Sequence, residues 1–318
     1  MRSSPTSFFF YRPGALGDTL LCAPLLAALR TAYPGARLAL AAHAGAGGLL
    51  RASGLLDLAF DQDDLRLLGL FAEDGPGGGL VAALGAVDVA VGWLADPEGV
   101  VASNLRRVAR RDATVAPSRP RPDAGLHVAS HLAATLARVG IGPLSLPSSP
   151  LLAAPAAEMA WARECLSRLP GAGRPVVAVH PGSGSPAKNW HAAGYVAVIE
   201  ALAGECAILL IAGPADGEAA AAVAAGAPAS ATLFRDLPLP RLAALLAECA
   251  IWVGNDSGIG HLAALLGLPV VSLFGPTDPA LWRPWGERVR VLSWAAGPAA
   301  LSPATVVGAV RELLAPEG

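Results

Sequence analysis

The chain has 318 residues, of which 53% are hydrophobic and 15% are charged, a composition that excludes a disordered chain. Its net charge of -2 excludes general affinity for nucleic acid, and its four scattered cysteines, with no CxxC pair, indicate reduced thiols. Charge-free stretches that approach 20 residues are interrupted by Gly, Pro or His, and the N-terminal apolar patch is shorter than a signal-peptide core. We therefore expect a cytoplasmic protein of two domains.

In the first half of the chain, short apolar runs of β type alternate with longer stretches of helical period. A mostly apolar helix is predicted over 19–33. The predicted strands are 7–11, 37–42, 57–60, 88–93 and 113–116. The segment 141–155 carries four prolines and no charge, which is typical of an extended connector. We place the domain boundary there, with one domain over 1–150 and the second over 151–318.

The second half repeats the alternation more regularly. Its predicted strands are 176–180, 207–212, 232–234, 251–253, 270–274 and 289–293. Its predicted helices are 156–169, 191–203, 216–225, 240–249, 258–266 and 303–314. Strands separated by helices indicate parallel sheets built from right-handed βαβ units. The predicted fold class is therefore α/β, with two such domains in tandem and a ligand cleft between them at the carboxyl ends of the strands.

The first candidate site is the segment Gly14-Ala-Leu-Gly17-Asp18, between the first strand and the first helix. Gly14 and Gly17 permit a tight turn, and Asp18 falls at the predicted N-cap of the helix. Asp18 is therefore either a helix cap or a carboxylate that takes a proton from a substrate hydroxyl.

The second candidate is the loop 180–190, HPGSGSPAKNW, directly after a strand. Ser183 and Gly184 belong to a run of small residues with exposed amides, and Lys188 adds the only ammonium among 23 basic side chains. This combination suits a phosphate group, although a solvated loop is the alternative. The loop also contains a GxGxxA string, a weak indication of dinucleotide binding.

The third candidate is the segment 254–261, GNDSGIGH, at the start of a predicted helix. The amides of a helix N-terminus, together with the helix dipole, form a natural diphosphate site. Ser257 can cap the helix ahead of Gly258, and Asp256 can accept hydrogen bonds from sugar hydroxyls. His261, one turn further on, is either a site residue or a core histidine.

Acidic residues mark two more strand ends. Asp216 and Glu218 follow the strand 207–212, where a carboxylate can bind a ribose or a base. The triplet Asp61-Gln62-Asp63 has the DxD form of a metal site, but we interpret it as a solvated acidic turn and predict no metal.

The segment 104–121 holds six arginines against one aspartate. Four of them are predicted to share a helix: Arg106, Arg107, Arg110 and Arg111. This is either an ordinary solvated helix face or a surface that contacts an anionic glycolipid or membrane.

Taken together, the motifs resemble those of glycosyltransferase family nine, the bacterial heptosyltransferases of lipopolysaccharide core assembly. The resemblance rests on GALGDTLLCAPLLAALRTAYPGARL at the start, HPGSGSPAKNW in the middle, and GNDSGIGHLAALLGLPVVSLFGPTDP near the end. It implies the GT-B fold, with two facing Rossmann-like domains. It also implies inverting, metal-independent transfer from a nucleotide-diphosphate sugar, ADP-heptose above all, without a cofactor. The implied acceptor is a lipopolysaccharide core or another surface glycan, bound by the first domain.

The resemblance also implies roles for particular residues. Asp18 is the implied general base, and Lys188 the implied catalytic cation for the leaving diphosphate. The implied donor-binding residues are Ser183, Gly184, Lys188, Asp216 or Glu218, Asp256, Ser257, Gly258 and His261. The implied acceptor-side residues are Gly14, Gly17, Arg106 and Arg110. Two other functions stay open on the sequence: a non-catalytic nucleotide-sugar-binding protein and an NAD(P)-dependent oxidoreductase.

Overall fold

The computed structural model of the protein describes residues 4–315, which form two compact α/β units. The first unit ends at Pro147 and the second begins at Ser148. Within residues 4–315, no helix combines the length and the apolar character that a membrane crossing requires.

The first unit is built on a parallel sheet in the order β3-β2-β1-β4-β5. Its strands are β1 (Ser7–Tyr11), β2 (Arg37–Ala42), β3 (Leu58–Asp61), β4 (Val87–Trp93) and β5 (Ala109–Ala116). Its α-helices are α1 (Leu16–Leu20), α2 (Ala23–Ala32), α3 (Ala44–Ala52), α4 (Gly78–Leu84), α5 (Val100–Val108) and α6 (Val128–Thr135). Short 3-10 helices cover Leu65–Leu70, Pro122–Ala124 and Leu136–Val139.

The second unit is built on a parallel sheet in the order β11-β10-β9-β6-β7-β8. Its strands are β6 (Val176–His180), β7 (Ala207–Ala212), β8 (Ala231–Arg235), β9 (Ile251–Asn255), β10 (Val270–Phe274) and β11 (Val289–Ser293). Its α-helices are α7 (Ala156–Ser167), α8 (Ala192–Leu202), α9 (Gly217–Gly226), α10 (Leu239–Ala247), α11 (Gly258–Leu265), α12 (Pro279–Trp282) and α13 (Pro303–Leu314). Further 3-10 turns cover Pro186–Lys188 and Pro298–Ala300.

The predicted α/β class with parallel sheets is confirmed, and the central strands show why the sequence is so apolar. All five residues of β1 are buried, as are all six of β7, because strands of a parallel sheet are covered on both faces. In the first unit, Phe10 stacks on Trp93 with ring centroids 5.2 Å apart. The indole Nε1 of Trp93 donates a hydrogen bond to Thr135 Oγ1 at 2.9 Å, which satisfies a buried polar atom.

Two local predictions are wrong. The helix predicted over 19–33 is two helices, α1 and α2, which meet at Leu21 and Cys22, and Pro24 lies in the first turn of α2, where its missing N–H is tolerated. Arg110 and Arg111 lie on strand β5 and not on the predicted helix, because α5 ends at Val108.

Strand order identifies one position in each sheet where a ligand is expected. In the first sheet the chain moves outward from β1 to β3 and then returns beside β1 with β4, so the order reverses between β1 and β4. In the second sheet the order reverses between β6 and β9. Open α/β sheets bind ligands outside the carboxyl ends of the strands at such a reversal. The loops that follow β1, β6 and β9 are the three candidate segments of the sequence.

Candidate functional site

The loop after β1 places Asp18 at the third position of α1 and not at its N-cap, which is Ala15. The Asp18 carboxylate reaches back to accept a hydrogen bond from the Ala15 N–H at 3.0 Å, so the carboxylate does stabilise the start of the helix. Gly14 has φ +156°, and a Cβ there would lie 2.9 Å from Asp18 Oδ2. Gly14 is therefore required by the close approach of the carboxylate, while Gly17 is the second residue of α1.

Asp18 is also paired with a buried arginine. Arg12 Nη2 donates to Asp18 Oδ1 at 2.6 Å, and Arg12 Nη1 donates to the carbonyl oxygen of Pro13 at 3.0 Å. The side chain of Arg12 is 4% exposed and that of Asp18 is 25% exposed. A carboxylate has about four lone-pair sites, so the hydrogen bonds from Arg12 and Ala15 leave Asp18 able to accept a further hydrogen bond from solvent or a substrate.

The only glutamine of the chain supports the same loop. Gln62 Oε1, just after β3, accepts a hydrogen bond from the Gly14 N–H at 2.9 Å. Its neighbours Asp61 and Asp63 are exposed, and the Asp63 N–H donates to Asp61 Oδ1 at 3.1 Å. Among residues 4–315, no group of three or more His, Cys, Asp or Glu side chains is placed to hold a metal ion.

In the second unit, Asn255 joins the two candidate loops. It is fully buried at the end of β9, where its Nδ2 donates to the Pro181 carbonyl at 2.7 Å and its Oδ1 accepts from the Trp190 N–H at 2.9 Å. Both contacts lie at the ends of the 180–190 loop. One amide side chain therefore fixes this loop against the strand that leads into the 254–261 segment.

Lys188 and Asp256 bring these two loops together a second time. Lys188 Nζ donates to Asp256 Oδ2 at 3.1 Å, and Thr277 Oγ1 donates to the same oxygen at 2.8 Å. The Asp256 side chain is 7% exposed, whereas that of Lys188 is 24% exposed. The ammonium is thus held beside the start of α11 with one side open to solvent.

Ser183 is buried, and its hydroxyl is engaged inside the loop, 2.7 Å from both Asn189 Oδ1 and the Ser185 carbonyl. Since a hydroxyl has one hydrogen, it donates to one of these oxygens at a time. Gly184 is exposed, and a Cβ there would meet no atom within 4 Å. Contact of Ser183 with a phosphate would therefore require its hydroxyl to rotate.

Helix α11 begins as the sequence predicts. Ser257 is its N-cap and its Oγ accepts from the Gly260 N–H at 3.4 Å, while Gly258 is the first helical residue. His261 is 4% exposed in the first turn. A Cβ at Gly254 would lie 2.4 Å from the His180 carbonyl oxygen, so the glycine lets β6 and β9 come close at the site.

The two acidic residues near α9 differ sharply in environment. Asp216 is buried, with Oδ2 2.8 Å from His180 Nε2 and 3.0 Å from the Gly213 N–H. Burial raises the pKa of Asp216, but the hydrogen bond and charge of His180 and the Gly213 N–H outweigh it, so the pKa is lowered overall. Glu218 is exposed in the first turn of α9. Of the pair, Glu218 is the carboxylate accessible to a ligand.

Arg106 and Arg110 lie near the amino ends of the strands in the first sheet, whereas Asp18 follows the carboxyl end of β1. Helix α5 runs back from the carboxyl end of β4, so its last turn, with Arg106, lies where β5 begins with Arg110. Both side chains are exposed. A pocket of about 660 Å³ lies at the carboxyl ends of β4 and β5, which is the end of the sheet where Asp18 also lies. Asp96 and Arg119 are among its lining residues.

Three residues that support the candidate loops had no role in the prediction from sequence. Arg12, Thr277 and His180 each contact a predicted site residue, and none was assigned a role. His180 and Thr277 belong to segments already singled out, so their position was the available signal. Arg12 gave none, because one arginine among 22 has no distinguishing pattern.

Comparison with known proteins gives a family match over most of the second unit. A family model described as "Glycosyltransferase family 9 (heptosyltransferase)" matches residues 147–302. Lipopolysaccharide heptosyltransferase 3 of Escherichia coli is 34% identical over 130 residues, 39% of this chain and 38% of that protein. Lipopolysaccharide heptosyltransferase 1 of Pseudomonas aeruginosa is 44% identical over 73 residues, 23% of this chain and 20% of that protein. These alignments thus span well under half the length of the curated relatives.

Solved structures resemble the whole chain in fold. A glycosyl transferase family 9 protein from Veillonella parvula superposes with a TM-score of 0.82 at 20% identity, covering 99% of this chain and 98% of that one. The ADP-heptose lps heptosyltransferase II of E. coli gives a TM-score of 0.73 at 22% identity, covering 97% and 98%. An E. coli heptosyltransferase solved with ADP gives 0.70 at 19% identity, covering 96% and 99%.

Proposed function

We propose that this chain, whose residues 147–302 match the glycosyltransferase family 9 model, transfers a heptose or related sugar from a nucleotide-diphosphate sugar to a surface-glycan acceptor. ADP-heptose is the proposed donor. Similar folds have been solved with ADP and with ADP-2-deoxy-2-fluoro heptose, and the curated relatives are named as lipopolysaccharide heptosyltransferases. The proposed acceptor is a lipopolysaccharide-core oligosaccharide or glycolipid.

One observation carries this proposal: the contact between Lys188 and Asp256 at the start of α11. It places an ammonium beside the amides of a helix N-terminus, at the strand-order reversal of the second sheet. A departing diphosphate carries negative charge that needs stabilisation, and preorganised donors supply it. We therefore propose that Lys188 and the first turn of α11 hold the donor diphosphate and that transfer needs no metal.

Asp18 is the proposed general base. It would accept the proton of an acceptor hydroxyl, whose oxygen then attacks the anomeric carbon of the donor. A new C–O glycosidic bond forms while the bond from the anomeric carbon to the phosphate oxygen breaks, and the diphosphate leaves with the electron pair. A single displacement from the opposite face inverts the anomeric configuration.

For the ribose of the donor we propose Glu218 as the contact and not Asp216. Asp216 is buried and bonded to His180, so a ribose hydroxyl would have to displace that pairing. Glu218 is exposed at the second position of α9, a few residues beyond the carboxyl end of β7. Asp256 remains the proposed contact to the donor sugar, through a carboxylate already oriented by Lys188 and Thr277.

On the acceptor side, the pocket beside β4 and β5 is the proposed binding region, with Gly14 and Gly17 shaping the loop that presents Asp18. Arg119 lines this pocket, whereas Arg106 and Arg110 lie at the opposite edge of the sheet. For Arg106 and Arg110 we propose a peripheral contact with an anionic membrane surface on its cytoplasmic side.

The GxGxxA string does not favour an oxidoreductase. In a dinucleotide fingerprint the glycine loop opens directly into a helix, which brings amides to the pyrophosphate. Here the loop leads into a single 3-10 turn, Pro186–Lys188, and α8 begins only at Ala192.

The test is release of ADP from ADP-heptose in the presence of lipopolysaccharide-core acceptors, compared between wild type and Asp18→Asn. We expect release with at least one acceptor and a loss of about 100-fold or more in kcat for Asp18→Asn, with ADP-heptose affinity retained. Binding of ADP-heptose without transfer to any acceptor would instead identify a non-catalytic binder. Stabilisation by NAD(P) alone would contradict the proposal.

A further inference from the structure

A buried hydrogen-bonded chain of Asp216, His180 and Ser257 leads to the N-terminus of α11. His180 Nε2 lies 2.8 Å from Asp216 Oδ2, and His180 Nδ1 lies 3.3 Å from Ser257 Oγ. All three are buried, with His180 only 1% exposed. His180 is the last residue of β6, while Asp216 and Ser257 follow the neighbouring strands β7 and β9 as N-caps of α9 and α11. The three side chains therefore connect adjacent strand ends beside the candidate diphosphate site.

The protonation state of His180 decides which way Ser257 points its single hydrogen. The Asp216 carboxylate is an acceptor only, so His180 Nε2 carries a hydrogen and donates to it. In a neutral imidazole Nδ1 is then an acceptor, and the Ser257 hydroxyl donates to it. In a protonated imidazole Nδ1 donates to Ser257 Oγ, and the hydroxyl hydrogen of Ser257 becomes free to donate to another acceptor.

Ser257 Oγ can accept the hydrogen bond from a protonated His180. It already accepts a hydrogen bond from the Gly260 N–H. If it also accepts from Nδ1–H, both of its lone pairs are used and its hydrogen is free for an oxygen in front of the α11 N-terminus. An anion bound there would favour the proton on His180 twice, through this hydrogen bond and through charge.

We propose that His180 is a positioning residue for the donor diphosphate: it takes up a proton when the diphosphate binds and so turns the Ser257 hydroxyl toward a phosphate oxygen. Asp216 holds the imidazole in place and stabilises its charged form. The inference rests on the proposed function, because it takes the diphosphate of a nucleotide sugar as the ligand of this site.

Other titratable groups lie on the segments around His180. Asp216 contacts it, Lys188 is on the loop that follows it, and Asp256 and His261 flank Ser257. The adjacent strands β7 and β9 contribute no ionisable side chain. Histidine is the residue type whose charge changes near neutral pH, so the experiment must separate His180 from His261.

The experiment measures proton uptake by titration calorimetry of ADP-heptose binding in buffers of different ionisation enthalpy. ADP-heptose suits the purpose because both of its phosphates are esterified and do not titrate near neutral pH. We expect wild type to take up a fraction of a proton on binding and to bind more weakly as the pH rises. His180→Gln keeps a donor for Asp216 but cannot be protonated, so its binding should show no uptake and little pH dependence.

Ser257→Ala provides the second arm. Loss of one hydroxyl donor to a phosphate should weaken binding about 10- to 100-fold, and adding His180→Gln to Ser257→Ala should weaken it little further. His127→Asn, a matched change at a buried histidine that caps α6 in the first unit, should behave as wild type. His261→Gln should retain proton uptake even if its affinity falls.

Unchanged proton uptake in His180→Gln, or additive losses in the double variant, would overturn the proposal. Denaturant unfolding of each variant separates a lost fold from a lost contact. If wild type binds no ADP-heptose at all, the proposed function itself fails, and this inference fails with it.

Discussion

Arg12 and Asp18 form a largely buried ion pair at the end of β1, with 2.6 Å between Nη2 and Oδ1. The pair joins Arg12, the first residue after β1, to the third residue of α1, so it spans the loop that presents the carboxylate. A guanidinium that also donates to the Pro13 carbonyl cannot rotate freely. It therefore fixes the orientation of Asp18.

Replacing Arg12 should damage catalysis more than donor binding. Arg12→Lys keeps the charge but loses the two-pronged geometry, and we expect kcat to fall about tenfold; Arg12→Met should cost about 100-fold or more. The measurement is kcat of both variants, with ADP-heptose affinity as the control. Equal losses of kcat and of ADP-heptose affinity would contradict a role through Asp18.

The lone lysine gives a second prediction. Lys188→Met should lower kcat about 100-fold, because the leaving diphosphate loses a preorganised cation. Lys188→Arg should also be impaired, since a planar guanidinium does not fit where a compact ammonium meets Asp256 Oδ2. Arg168→Met, an exposed change on the same unit, serves as the control. Near-normal turnover of Lys188→Arg would show that the single lysine is an accident of composition.

The sequence predicted what depends on local pattern and failed where the answer depends on distant partners. Strand spacing predicted the parallel sheets and the three loops at their carboxyl ends. It could not show that Asp216 is buried against His180, since 36 residues separate them. It also misplaced Arg110, because the end of α5 and the start of β5 carry arginines alike and the change of period falls between them.

Asn255 should be the most sensitive structural residue of the second unit. Asn255→Ala leaves the Trp190 N–H and the Pro181 carbonyl without their partner, and we expect a loss of about 2–4 kcal/mol in the free energy of unfolding. Affinity for ADP-heptose should fall as well, because the 180–190 loop loses its anchor. The matched control is Asn104→Ala, which removes a buried asparagine bonded to three carbonyls of the first unit. That variant should lose comparable stability and keep its donor affinity.

Asp216 predicts how stability depends on pH. Its pKa in the folded protein is lowered, so it contributes stability above the ordinary aspartate pKa of 3.8, and this contribution is lost as pH falls through the folded value. Asp216→Asn should therefore reduce the free energy of unfolding near neutral pH and show a smaller decline below about pH 4 than wild type. Denaturant unfolding between about pH 3 and pH 7 makes the comparison. Parallel curves for the two proteins would show that Asp216 contributes no such linkage.

The arginines of the first unit allow a crossed test of acceptor and membrane contacts. The double variant Arg106→Ala/Arg110→Ala changes the end of the first sheet opposite to Asp18. Its kcat and KM with a water-soluble acceptor should therefore stay within about twofold of wild type. Binding to vesicles of phosphatidylcholine and phosphatidylglycerol should weaken about tenfold or more, at about 1 kcal/mol per arginine. Arg119→Ala, in the pocket beside β4 and β5, should do the reverse, with a raised acceptor KM and unchanged vesicle binding. Unchanged vesicle binding after loss of Arg106 and Arg110 would remove the case for a membrane contact at this edge.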